Sequence, residues 1–324
     1  MGLIKMETKS VKIIFLVIIL SMIVVAGIIV LPELIKTKTN VGPLTIVDDY
    51  ERNVTITNYP PKRIISLAPS CTEIIFALNL QDKLVGVDTY DYYPTEIQQK
   101  IESNNITKVG QYADISTEPI VSLNPDLVIA AMTVQLPIIE NLAAVGESAM
   151  IINPENYDDV LSDILLVGEA TGANQEAELL VNSIQSKTQE IYDKTKDETK
   201  PRVYIEYAFN GGFQSFGSGS FADELINKAG GKNIFINTLS AYISANSEEI
   251  IVSNPEIIII SKGAMAEACG LTPSIVKNRP GWDQIDAVKN NQIYEIDERL
   301  LLPGAAMVDS LDSMAKIVHP EIFE

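Results

Sequence analysis

The chain has 324 residues, of which 46% are hydrophobic and 21% charged, so it is long and apolar enough for two domains with separate cores. Its net charge of −19 argues against binding to nucleic acid or anionic lipid, because both require a basic surface. A single histidine, His319, argues against a bare-metal site and against histidine-based acid–base catalysis. We therefore expect no resident metal, no cofactor and no catalytic residues.

The N-terminal segment sets the predicted compartment. Residues 13–31 form an uncharged run of 19 residues, preceded by three lysines, and this length just spans a bilayer core. A cleaved signal peptide and a retained anchor both fit, and we favour the anchor because no clear cleavage site and no nearby cysteine follow the run. The basic flank keeps the N-terminus inside. Residues 1–43 are therefore predicted to be a single-pass membrane anchor and tether, with the rest of the chain outside the cell.

A tethered body of strongly negative charge follows this segment. Five lysines against two glutamates give the first 40 residues a charge of +3, so the remainder carries −22.

In residues 44–171, short apolar strands alternate with helical stretches. This alternation is typical of a parallel α/β sheet, and it predicts a first α/β lobe over these residues.

One sequence pattern occurs twice, about 130 residues apart. Residues 120–130 (IVSLNPDLVIA) and 250–260 (IIVSNPEIIII) each contain a helix end, an Asn-Pro turn with an acidic residue, and an apolar strand. Proline disfavours the helical conformation of the residue before it, so each asparagine is predicted to end a helix. The repeat predicts a second α/β lobe over residues 199–324 and a cleft between the lobes.

A different pattern separates the two lobes. Residues 173–197 contain neither glycine nor proline and carry a stripe of apolar residues at helical spacing. We predict one long linker helix within residues 172–198. The predicted fold is therefore α/β, with two Rossmann-like lobes joined by one helix and preceded by the transmembrane segment.

Several local motifs occur in order along the two lobes. They are residues 63–73 (RIISLAPSCTE), 86–90 (GVDTY), 124–128 (NPDLV), 220–225 (SFADEL), 229–233 (AGGKN) and 279–282 (RPGW). Together they resemble one family, the substrate-binding proteins of ABC importers for iron-siderophore and cobalamin, and the cobalamin-binding branch is the most similar around residues 86–94. The resemblance implies an extracellular solute-binding protein that captures a corrinoid or a ferric siderophore between its lobes. It also implies a monomer that is not an enzyme and that delivers its ligand to an ABC permease and its ATPase.

Two other classes of protein remain as alternatives. An extracellular ligand-sensing domain would also be tethered, although the N-terminal tail is short for a signalling domain. A two-lobed enzyme with a metallocofactor would require cysteine ligands, and the chain contains two cysteines, Cys71 and Cys269, without metal-ligand spacing.

Aromatic residues are the candidate ligand contacts. By family position, Tyr90 and Tyr112 resemble wall residues of the pocket, and Met132 stands where relatives often carry a tryptophan. Phe213 lies in the loop after the first strand of the second lobe and is predicted to face them. Arg299 is predicted either to contact polar groups of the ligand or to pair with a neighbouring acid. Packing in the core is the alternative for each aromatic residue.

Two glutamates are candidates for permease docking. The resemblance implies that one glutamate on each lobe pairs with arginines of the permease, and Glu73 and Glu224 match these positions. For Glu73 the alternative is a capping box with Ser70, since Ser-x-x-Glu is typical of a helix start. In the second lobe, Ser220 and Asp223 fit the cap spacing and leave Glu224 free for docking.

Overall fold

The computed structural model describes residues 42–91, 93–103, 105–111 and 114–323. Residues Gly42–Glu324 form one compact unit. The predicted membrane run and the predicted site residue Tyr112 lie outside the described residues. Within the described ranges, no helix combines the length and the apolar character that a membrane crossing requires.

The first lobe contains a parallel five-stranded sheet in the order β5-β4-β3-β6-β7. An antiparallel hairpin of β1 and β2 precedes it. Strands β6 and β7 are buried at every position, as expected for a parallel sheet covered on both faces. The strands are β1 (Leu44–Val47), β2 (Asn53–Ile56), β3 (Ile64–Ser66), β4 (Leu84–Val87), β5 (Thr107–Lys108), β6 (Leu127–Ala131) and β7 (Ala149–Ile152). The helices are α1 (Pro69–Ala77), α2 (Glu96–Glu102), α3 (Thr117–Ser122), α4 (Leu136–Ala144) and α5 (Tyr157–Thr171), followed by α6 (Asn174–Thr195).

The second lobe contains a parallel four-stranded sheet in the order β11-β8-β13-β14. A smaller antiparallel sheet, in the order β12-β10-β9, lies beyond the end of β8. The strands are β8 (Arg202–Glu206), β9 (Ala208–Phe209), β10 (Phe213–Phe216), β11 (Lys232–Asn233), β12 (Tyr242–Ala245), β13 (Ile257–Lys262) and β14 (Ile293–Asp297). The helices are α7 (Phe221–Lys228), α8 (Ser247–Ser253), α9 (Ala264–Ala268), α10 (Pro273–Lys277), α11 (Asp286–Lys289) and α12 (Met307–Val318).

The two copies of the sequence repeat make the same contacts in the two lobes. The carboxylate of Asp126 accepts a hydrogen bond from the backbone N–H of Arg63, at 2.9 Å, and Glu256 accepts one from Arg202, also at 2.9 Å. Each arginine side chain donates to the carbonyl of the asparagine in the repeat, at 3.1 Å in the first lobe and 2.8 Å in the second. The acid therefore fixes the start of the central strand, β3 or β8, beside the strand of its own repeat.

Helix α6 is attached to both lobes at neighbouring positions. Thr188 shares a hydrogen bond of 2.8 Å with the Tyr157 hydroxyl of the first lobe. Lys187 forms an ion pair of 2.7 Å with Asp312 on α12 of the second lobe. The sequence predicts a helix over residues 173–197, and α6 spans Asn174–Thr195. One apolar core runs from the first lobe along α6 into the second, so the two lobes and the helix pack as a unit.

Asp163 on α5 is a buried carboxyl group next to a second acid. It is 1% exposed, and it packs against Asp49 in the turn between β1 and β2. Burial, then the charge of Asp49, raises the pKa of Asp163 from 3.8 to about 9. The folded protein therefore holds a proton on Asp163 at neutral pH, and unfolding releases it.

This proton makes the free energy of unfolding depend on pH. Because the folded-state pKa is raised, the contribution of Asp163 to stability grows as pH falls from about 9 towards 4, by at most about 1.4 kcal/mol per pH unit. Asp163→Asn should stabilise the protein at pH 8.5 and flatten this dependence. Urea unfolding at pH 6 and pH 8.5 measures the effect, with Glu169→Gln, an exposed position on the same helix, as the matched control. An unchanged pH slope in Asp163→Asn would contradict the assignment.

Candidate ligand-binding cleft

The carboxyl ends of the two parallel sheets face each other. Tyr93 lies in the segment after β4 of the first sheet, and Arg299 lies in a short 3-10 turn directly after β14 of the second. The guanidinium carbon of Arg299 is 3.6 Å from the centre of the Tyr93 ring, a cation–π contact between the lobes. Open α/β sheets bind ligands outside the carboxyl ends of their strands. The gap between these ends is therefore the candidate site.

Two predicted site residues, Tyr90 and Met132, lie at this end of the first sheet. Tyr90 follows β4 by three residues and is 49% exposed. Met132 directly follows β6, is 52% exposed, and has a φ of 68°. For a residue other than glycine such a backbone conformation costs about 1–3 kcal/mol, and strained residues of this kind cluster at functional sites. Both side chains offer apolar surface that nothing in the first lobe buries completely.

The second lobe contributes a row of aromatic rings. Tyr207 directly follows β8, its ring lies 4.8 Å from that of Phe216, and Phe216 lies 5.8 Å from Tyr242. Tyr242 is 58% exposed; burial of its hydroxyl, then the charge of Glu155 in the first lobe, raises its pKa. Tyr242 thus approaches the first lobe across the gap. Tyr242 is not among the residues predicted from the sequence, where its signal is a short Tyr-Ile-Ser-Ala strand pattern between polar turns.

Phe213 lies apart from these residues. Its ring contacts Trp282, at 5.4 Å between ring centres, and Arg279, at 4.4 Å from the guanidinium carbon. These partners and the pocket that Phe213 lines belong entirely to the second lobe. Side chains alternate along a strand, so Phe213 and Phe216 at the two ends of β10 point to opposite faces of the small sheet. The structure therefore does not bring Phe213 to Tyr90 and Met132 as the sequence predicts.

The capping-box interpretation of Glu73 is wrong. Helix α1 begins at Pro69, and Ala68 precedes it without any side-chain cap. Proline is favoured in the first turn of a helix because its missing N–H would be unsatisfied there in any case. Ser70 therefore lies inside the helix, where its side chain cannot act as the cap.

Glu73 instead reaches the second lobe. One carboxylate oxygen lies 3.5 Å from a guanidinium nitrogen of Arg299, and the side chain is 10% exposed. Burial raises the pKa of Glu73 to about 7, although Arg299 and the backbone N–H of Ala306 act in the opposite direction. Arg299 also pairs with Asp297, at 2.9 Å, which is the salt bridge that the sequence left open. In this structure Glu73 is an interlobe contact and is hardly accessible to a partner.

Glu224 also contacts the opposite lobe. Ser220 caps α7 by accepting a hydrogen bond from the backbone N–H of Asp223, as the sequence predicts. The carboxylate of Glu224 accepts a hydrogen bond of 2.6 Å from the backbone N–H of Tyr157 at the start of α5. The ammonium group of Lys228 lies 3.8 Å from the centre of the Tyr157 ring. Glu224 is therefore partly buried between the lobes and is not a free side chain.

Cys71 on α1 is a buried thiol. Cys71 is 1% exposed, and burial, then the charges of Asp91 and Asp163, raises its pKa well above the usual range. A thiol that stays protonated is a poor nucleophile. Across the part of the chain that the structure describes, no group of three or more His, Cys, Asp or Glu side chains is arranged to hold a metal ion.

Two α/β lobes around a gap at the carboxyl ends of their sheets define a two-lobed binding protein. Residues 64–300 match the family described as periplasmic binding protein, and the chain belongs to this family. The match covers both sheets and the linker helix.

Individual relatives agree with this assignment. The chain is 34% identical over 298 residues, 89% of its length, to 90% of the Bacillus subtilis protein named uncharacterized ABC transporter substrate-binding lipoprotein YvrC. It is 27% identical, over 83% of its length, to 74% of a cobalamin-binding protein of Halobacterium salinarum. The crystal structure of the vitamin B12 binding protein BtuF of Vibrio cholerae shares the fold, with a TM-score of 0.65 and 23% identity over 81% of this chain and 98% of that one. The family and the Bacillus subtilis relative are both named as binding proteins, so the chain is a binding protein and not an enzyme.

One sequence-based prediction needs correction in the light of these relatives. The sequence predicts a retained single-pass membrane anchor over residues 1–43. The Bacillus subtilis relative, which matches nearly the whole chain, is named a lipoprotein. This overturns the prediction of a single-pass anchor.

Proposed function

We propose that this protein is the substrate-binding component of an ABC importer, which captures a metal chelate between its lobes and delivers it to a permease driven by an ATPase. The observation that carries the proposal is the interlobe gap, whose two walls present exposed Tyr90, Met132 and Tyr242 in a member of the periplasmic binding protein family. Relatives named as an ABC transporter substrate-binding protein and as cobalamin-binding proteins support it.

Within that class, a corrinoid is the favoured ligand over a ferric siderophore. Large aromatic and thioether side chains bury a broad, flat ligand at little entropic cost. The charge of Arg299 is already shared between Glu73 and Asp297, so it offers little to a strongly anionic ferric catecholate. The walls therefore favour a ligand that is large and of low charge. The sensor and metallocofactor alternatives have no comparable support.

The organisation of the chain is part of the same proposal. We assign residues 44–171 to the N-terminal lobe, 172–198 to the linker helix and 199–324 to the C-terminal lobe, in a protein that acts as a monomer. The attachment of α6 to both lobes supports a small closing motion, because hinges require residues that absorb changes in φ and ψ.

Calorimetry tests the ligand class. The compact unit Gly42–Glu324 should bind cobalamin and cobinamide with measurable heat, and a ferric hydroxamate more weakly. Tyr90→Ala should weaken corrinoid binding by about tenfold, since one aromatic contact and its buried area are lost. Tyr192→Ala is the matched control, because Tyr192 is 56% exposed on α6, away from the cleft.

Two results of these titrations would count against the proposal. If none of the three ligands produced heat on titration, the proposal that the protein binds a metal chelate would be wrong. If Tyr90→Ala and the unmodified protein bound the ligand equally well, Tyr90 would not be a ligand contact, and the proposed transport function would be unaffected.

Glu224 and Glu73 are the proposed docking residues. Both side chains are partly buried between the lobes, Glu224 against Tyr157 and Glu73 against Arg299, and both become available when the lobes separate. Glu224→Lys should abolish uptake in cells, because the arginines of the permease would then meet a like charge. Uptake is measured at saturating ligand, where a change in ligand affinity has no effect. Glu102→Lys, at an exposed position on α2, is the control and should support normal uptake. Normal uptake by Glu224→Lys would refute docking through this residue.

When the lobes close around the ligand, the Glu73 carboxylate should bind a proton. The pKa of Glu73 is about 7 in this structure and returns towards its ordinary value of 4.5 once open lobes expose the carboxylate. Ligand affinity should therefore rise as pH falls from 8 to 6, by at most about tenfold per pH unit. The groups that face Glu73 are Arg299, Asp297, Asp91 and the Ala306 N–H. Glu73→Gln should remove this dependence, and an equal slope in Glu73→Gln would show that another group is responsible.

A further inference from the structure

A second cavity lies wholly within the C-terminal lobe. Its volume is about 540 Å³, and none of the interlobe contact residues lines it. Small-molecule sites typically measure about 300–1,000 Å³ and are mostly apolar. Its walls include the rings of Phe209, Phe213 and Trp282, the guanidinium of Arg279 and the side chains of Cys269 and Ile275.

The rim of this pocket holds apolar surface in contact with water. Phe209 is 49% exposed and Ile275 is 51% exposed. Phe209 and Phe213 lie on either side of the turn between β9 and β10, with 5.4 Å between their ring centres. Gly211 in that turn has a φ of 68° and no heavy atom within 4 Å of where a Cβ would stand. The turn is therefore free of side-chain packing at this point, and a ligand that covers Phe209 would remove apolar surface from water.

The polar groups of the pocket are already satisfied by the protein. Arg279 donates two hydrogen bonds to Glu206, at 2.6 and 2.7 Å, and Glu206 is fully buried. The indole N–H of Trp282 donates to the hydroxyl of Ser247 at 2.7 Å. The positive charge of Arg279 is thus neutralised, and its flat guanidinium is stacked against Phe213 and Trp282, at 4.4 and 4.6 Å from the ring centres. The pocket offers planar faces and little uncompensated charge.

We propose that this pocket is a second binding site, separate from the interlobe cleft, for an uncharged, flat aromatic ring system. An anion gains no free cation there and would lose its hydration, because Arg279 is already paired with a buried carboxylate. A neutral ring stacks on Phe209 and the neighbouring aromatic faces. The ligand class follows from this combination of aromatic walls and satisfied polar groups.

A matched pair of fluorescent probes tests the proposal. N-phenyl-1-naphthylamine is neutral, and 1-anilinonaphthalene-8-sulfonate has the same rings with one negative charge. The neutral probe should bind saturably and at least tenfold more tightly than the sulfonate. Phe209→Ala should weaken its binding about tenfold, since half-exposed Phe209 forms one face of the site. Tyr192→Ala, at a similarly exposed position on α6, should have no effect.

Cys269 provides an independent readout of occupancy. Cys269 lines the pocket and is partly exposed, whereas Cys71 is buried and has a raised pKa. Saturating neutral probe should slow alkylation of Cys269 by N-ethylmaleimide at least threefold, as measured by mass spectrometry. The proposal is overturned if the neutral probe does not bind saturably, if the sulfonate binds equally well, or if Cys269 is not protected. It is also overturned if Tyr90→Ala or Tyr242→Ala weakens probe binding as much as Phe209→Ala, because the probe would then occupy the cleft.

Discussion

The contact between Glu73 and Arg299 is the interaction that links closure of the two lobes to protonation. It brings a carboxylate of α1 and a guanidinium that follows β14 into a site where the carboxylate is 10% exposed. Removing two charges from water costs desolvation free energy, and their mutual attraction offsets this cost only when their geometry is good. Here the distance is 3.5 Å, and burial still raises the pKa of Glu73 to about 7. The pair therefore makes closure sensitive to protonation, and other contacts must hold the lobes together.

Those other contacts lie around the linker helix. Lys187 and Thr188 are adjacent in sequence yet bind opposite lobes, through Asp312 and Tyr157. Tyr157 also receives Glu224 from the second lobe at its backbone N–H. A helix with an intact backbone cannot absorb a large change in φ and ψ, which supports the proposal that the lobes rock slightly about α6 and do not swing widely. In the proposed motion the exposure of Glu73 changes, because its carboxylate is covered by Arg299 of the other lobe.

Features set by nearby residues were predictable from the sequence, whereas the site depended on distant ones. The repeated Asn-Pro turn predicted two lobes, because the helix end, the turn and the strand of each copy lie together within residues 120–130 and 250–260. The capping box failed since Pro69 sets the helix start one residue before Ser70. No local pattern could show that Glu73 would be covered by Arg299 and Ala306, from the far end of the chain. The sequence predicts Phe213 as the cleft residue, whereas the structure has Tyr242 there, for a similar reason. A four-residue strand does not reveal which of its faces meets the other lobe.

The two arginine–aromatic clusters reveal how this acidic protein uses positive charge. Arg299 stacks on Tyr93 and is paired with Glu73 and Asp297, and Arg279 stacks on Phe213 and Trp282 and is paired with Glu206. In both clusters the guanidinium acts as a flat, neutralised surface rather than as an anchor for an anion. Residues 41–324 carry a charge of −22, so an anionic ligand would also meet an unfavourable long-range field. In the proposed function, recognition therefore depends on flat shape and buried apolar area, which favours a large chelate of low charge over a multiply charged one.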